Sequence, residues 1–161
     1  MFIRGVNMKK GRLKRNLLVI FFGVLTFLIS LYLKITPKDL KNFTDIMSAS
    51  LSFSAIVTAI FFASFSLIPS SGSNKLVSMM EDLGTDIKIM DRLLVATVLS
   101  FVSSLLSFIA LFFDKEDTSN ISSFFVSGWL AVTVMMFVSS LLVLKVLMKL
   151  VETYNSYKKR H

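Results

Sequence analysis

Residues 93–113 read LLVATVLSFVSSLLSFIALFF, twenty-one positions without a charge. A helix needs about 20 apolar residues to cross a hydrocarbon core of about 30 Å. Three other stretches share this character: residues 17–33, 46–74 and 121–144 hold 17, 29 and 24 residues and no Asp, Glu, Lys or Arg. In the second, 46–68 is the expected span, because Pro69 lacks an N–H and restricts the residue before it. All 18 Lys and Arg and all 10 Asp and Glu lie between or beyond the four stretches. In lipid, backbone polar groups must be bonded within their own segment, so each stretch is expected to be a helix. The expected fold is all-α: an integral membrane protein with a four-transmembrane-helix bundle. It forms one membrane domain over residues 1–161, with spans at 17–34, 45–68, 92–113 and 121–145.

Composition points the same way. Hydrophobic residues make up 54 %, mean hydropathy is +0.72, and Phe occurs 16 times. A water-soluble domain of this size has too little interior to hide so much apolar surface. The net charge of +8 gathers at the chain ends rather than in one patch, so no direct nucleic-acid binding is expected. No Cys is present, and the only His is the last residue, His161. This removes disulfides, thiolate chemistry and metal sites of imidazole and thiolate. No cofactor and no metal are expected.

Orientation follows from the distribution of cations. Arg4, Lys9, Lys10, Arg12, Lys14 and Arg15 precede the first span with no acid among them, and Lys145, Lys149, Lys158, Lys159 and Arg160 follow the fourth against Glu152. Lys34, Lys38 and Lys41 sit between the first two spans, and Lys115 between the last two. With the N-terminus inside, 14 basic residues are cytoplasmic and 4 external. The expectation is a multi-pass protein of the bacterial inner (plasma) membrane with cytoplasmic N- and C-termini, and Tyr32 and Trp129 near the outer interface. The first helix is read as an uncleaved anchor, since no small-x-small cleavage site follows it.

Small residues recur along single helix faces. Ser48, Ser52, Ala55, Ala59, Ala63 and Ser66 form one such stripe, Ala96, Ser100, Ser103, Ser107 and Ala110 another, and Gly23, Thr26 and Ser30 a shorter one. Small side chains let backbones approach, and hydroxyls bond across helices or back to their own carbonyls. These faces are the expected helix-packing and oligomer contacts, with Phe61 expected to face lipid. The competing reading of the stripes is a hydroxyl-lined pore.

The cytoplasmic loop 69–91 carries Leu76, Met80, Leu83, Ile87 and Met90 at spacings of four and three, opposed by Lys75, Glu81, Asp82, Asp86 and Lys88. This is one apolar helical stripe. In the tail 146–161, Leu147, Met148, Val151 and Tyr154 offer a matching face on a helical extension of the last span. The loop stripe is the expected docking site for a cytosolic partner protein. Packing against the tail and lying on the inner leaflet are the other readings.

Enzyme signals are missing. There is no GxSxG, HExxH or Gly-rich phosphate loop, and the spans offer a nucleophilic Ser no base. None of the four charge-free stretches holds an ionisable group for a proton relay. The acids Asp114, Glu116 and Asp117 read as a solvated loop.

Short external loops, both ends inside, and an amphipathic cytoplasmic segment between Pro69 and Arg92 resemble small four-helix bacterial membrane proteins of phage-defence systems, of the Kiwa membrane-subunit type. The resemblance implies a membrane component working with a cytosolic effector. The functional expectation is a non-enzymatic membrane scaffold or sensor subunit that forms a homo-oligomer in the lipid bilayer. The alternative is a pore-forming channel, holin-like protein or toxic membrane effector.

Overall fold

The computed structural model describes residues 16–70 and 86–158. They form four helices: α1 (Leu17–Tyr32), α2 (Phe43–Ser70), α3 (Asp86–Ala110) and α4 (Asn120–Lys158). Three are long and apolar enough to cross a membrane, through the windows Phe43–Ser64, Met90–Ala110 and Asn120–Met148, with mean hydropathies of 2.0, 2.3 and 2.3. That marks the chain as a membrane protein. Large apolar side chains also face outward, among them Phe21, Ile56, Phe62, Phe101 and Leu141. Contiguous exposure on this scale is foreign to soluble monomers.

α1 is the shortest, at 16 residues. It rises about 24 Å, less than the thickness of a typical hydrocarbon core. α4 is the longest, at 39 residues. It rises about 58 Å and outruns any bilayer. α3 is already helical at Asp86, six residues before the span expected from charge alone. A charge ends an apolar stretch but not a helix.

The helices pack in a row: α1 on α4, α4 on α3, and α3 on α2. α2 reaches α4 through a stacked ring pair, Phe53 and Phe137, with centroids 5.1 Å apart. Two apolar clusters mark the ends of the packed region. Phe43, Met47, Ala110, Val126 and Trp129 form one, backed by Ile35, Leu40 and Leu106. Leu93, Ala96 and Val143 form the other, with Phe61 and Val146 against them. Phe61 is therefore half-buried between helices, not lipid-facing as its sequence position suggested.

Local chemistry sets the turns at the first end. α1 closes with the Lys34 backbone in the left-handed region, at φ 49°. The Lys34 N–H donates to the Leu31 carbonyl at 3.1 Å and the Ile35 N–H to the Ser30 carbonyl at 3.3 Å. This is the bonding pattern in which glycine is the usual left-handed residue. Thr36 and Asp39 then cap a short 3₁₀ turn, Pro37–Asp39. The exposed pair Lys38 and Glu116, 3.6 Å apart, bridges the two connections at this end. Ser119 caps α4 by accepting from the Ser122 N–H at 3.2 Å.

A hydroxyl seam as candidate functional site

The α3 face carrying Ser100, Ser103, Ser104 and Ser107 follows the i, i+3, i+4, i+7 spacing of one helix side. α2 runs antiparallel to it and presents Ser50, Ser54 and Thr58 one turn apart. The two rows close like a zip: Ser50 with Ser107 at 2.9 Å, Ser54 with Ser104 at 2.8 Å, and Thr58 with Ser100 at 2.9 Å. α4 joins from the far side, where Thr133 meets Ser103 at 3.2 Å and the Trp129 indole N–H donates to Ser107 at 2.8 Å. Ser54, Ser100, Ser103 and Ser107 have no solvent exposure.

Each hydroxyl has one proton and two lone pairs, and the seam uses them in sequence. Ser54 donates to the Ser50 carbonyl at 2.6 Å and so accepts from Ser104. Ser100 donates to the Thr97 carbonyl at 2.9 Å and accepts from Thr58, whose single proton is shared with the Ser54 carbonyl at 2.7 Å. Ser107 accepts from the indole and is free to donate to Ser50. Interhelical bonds of this kind average about 0.6 kcal/mol in bilayers and reach about 2 kcal/mol. The larger gain is the close backbone approach that small residues permit.

The structure divides the expected stripes. On α3, Ala96, Ser100, Ser103, Ser107 and Ala110 are all buried against neighbouring helices of the same chain. On α2, Ser48, Ser52, Ala55, Ala59 and Ala63 are exposed, on a side turned away from α3, while the side chain of Ser66 lies outside the described residues. The α2 residues that meet α3 are Ser50, Ser54 and Thr58, which the sequence reading passed over. On α1, Gly23 and Ser30 are buried. A Cβ at Gly23 would collide with the Met135 thioether of α4, so glycine permits that approach. Thr26 bonds back to the Phe22 carbonyl at 2.8 Å. Trp129 lies at the end of the bundle where an interfacial ring was expected, but it is 4 % exposed and turned inward. Tyr32 is fully outward.

Of the expected docking stripe, Leu76, Met80 and Leu83 lie outside the described residues, and so does the side chain of Ile87. Met90 is half-buried. Leu147 and Met148 of the tail are exposed.

The α1–α4 seam differs from the hydroxyl zip. The hydroxyls of Ser30, Ser123 and Ser127 are buried there with no hydrogen-bond partner among the described residues. Comparison with family models, curated proteins and solved structures finds no match. The chemistry must therefore be read from the geometry.

Among the described residues, no imidazole, thiolate or carboxylate enters the seam's bonds, and a nucleophilic serine needs such a base. Among the described residues no three His, Cys, Asp or Glu side chains converge as metal ligands would. Asp114 and Asp117 spend carboxylate oxygens on the N–H groups of Glu116 and Ser119, at 3.1 and 2.8 Å. Asp39 accepts from the Thr36 N–H at 2.8 Å and the Thr36 hydroxyl at 2.7 Å. These two bonds, the backbone one first, hold its carboxyl below the usual aspartate range.

Proposed function

We propose that this chain is a non-enzymatic membrane scaffold or sensor subunit. In this reading it is a four-helix bundle of a bacterial inner membrane, with both termini in the cytoplasm, and it works as a homo-oligomer. One observation carries the reading: the seam hydroxyls are spent on one another in a dry interface, while a second small-residue face on α2 is left exposed. A pore needs its polar groups on an open wall. Here they lock helices together, and the face left over is the kind through which membrane helices associate.

Engagement of a cytosolic protein through Leu76, Met80, Leu83, Ile87 and Met90 completes the proposal, since apolar residues at this sequence spacing suit groove recognition. A role in phage defence belongs to the same proposal and is supported by the layout alone.

Reconstitution into dye-loaded liposomes tests the scaffold reading. Leakage should stay at the level of protein-free vesicles, and L83S/I87S should insert normally while losing partner recovery. Sustained leakage that scales with protein would replace the scaffold with the pore.

A further inference from the structure

The end of the bundle opposite Trp129 holds a charged group in an unusual position. Arg92 is the third residue of the α3 apolar window, and Lys145 lies three residues before the end of the α4 window. Because Leu93 packs on Val143, both cations belong to the same rim. The Arg92 Nη1 donates to the Leu142 carbonyl at 3.5 Å, which turns the guanidinium toward α4. Leu142 is one turn from Lys145, whose side chain is exposed. The Arg92 Nε–H is buried and has no acceptor among the described residues.

A guanidinium is a planar fork with five N–H donors. With Nη1 committed to the Leu142 carbonyl, the edge that carries Nε–H is left for a bidentate oxyanion. An ammonium one helical turn along supplies a second, more mobile positive charge. The neighbouring Asp91 is 3 % exposed and already makes an interaction of its own. A charged donor without an acceptor is costly, and an anion drawn to this rim would offset that cost.

We propose that the rim between α3 and α4 binds a phosphate oxyanion through Arg92 and Lys145. The phosphate is carried by an anionic phospholipid headgroup or by a soluble organophosphate. Basic recesses between membrane helices take anionic headgroups, and this rim lies where the apolar windows of both helices end. The site rests on membrane insertion as proposed above, but not on oligomerisation or on a cytosolic partner.

The test is native mass spectrometry of the full chain released from phosphatidylcholine nanodiscs that contain phosphatidylglycerol. The wild type should retain phosphatidylglycerol in preference to phosphatidylcholine. R92K keeps the charge but loses the fork, and K145Q alters only an exposed group; each should lower that preference about tenfold. K38Q, at the opposite end, should leave it unchanged. In pure phosphatidylcholine discs, added inorganic phosphate is the second probe. A rise in unfolding temperature that R92K and K145Q both lack assigns the site to soluble phosphates and sustains the chemistry. Equal phosphatidylglycerol preference in wild type, R92K and K145Q, with no response to phosphate, overturns the site. Oligomer size is read in the same spectra, so loss of lipid and loss of assembly are separate results.

Discussion

Ser107 sits between an indole and a second hydroxyl with no access to solvent. Replacing it by Ala removes the acceptor of the Trp129 N–H and strands a buried donor, which costs about 1–3 kcal/mol. Ser127 is equally buried, but its hydroxyl has no partner to lose. Two serines of identical composition and burial thus predict opposite outcomes. S107A should lower the thermal unfolding midpoint in detergent, and S127A should leave it unchanged or raise it. Equal midpoints for the two variants would mean that the seam bonds do not hold the helices. At this scale the sequence is nearly silent. Ser50 and Ser48 are both serines on an apolar helix, each with another small residue one turn on, and only the position of α3 decides which is buried.

Elements were far more legible than faces. Charge-free length placed α2, α3 and α4 because lipid as solvent forbids bare charge and unpaired backbone along a span. It did not reveal that α3 is already helical at Asp86, since helix hydrogen bonds continue past the point where the solvent changes. Nor could it orient α2. The rows Ser50, Ser54, Thr58 and Ser48, Ser52, Ala55 both recur at helical spacings of three and four, and burial is a property of the pair of helices. Trp129 is a related case. An amphipathic ring at a span's end suits a headgroup layer, and here its N–H finds a serine instead. The connection after α1 carries a prediction of its own. The Asp39 carboxyl is held low by Thr36, so its contribution to the 3₁₀ turn is complete above the unfolded value near 3.8 and is lost as pH falls through the lower folded value. Amide exchange at Thr36, relative to its chemical rate, should accelerate below that point in the wild type, while D39A, which removes the acceptor, should show no protection at any pH. A Thr36 amide whose exchange ignores pH, beyond the chemical rate, would show that the cap is not formed.

For the whole molecule, the row α1–α4–α3–α2 leaves α2 at an edge, with one side zipped to α3 and a small-residue side exposed. The proposal makes that side the meeting point of copies. It also fixes topology, with the Lys38–Glu116 end outside. Because the chain contains no Cys, single cysteines report cleanly on both points. T118C should react with an impermeant thiol reagent in intact cells, and Y157C should not. The most direct measurement is oxidative cross-linking of single cysteines in native membranes. A59C, on the exposed small face of α2, should yield covalent dimers, while V98C, equally outward on α3, should stay monomeric. A59C that remains monomeric, or V98C dimers in equal yield, would contradict assembly through α2.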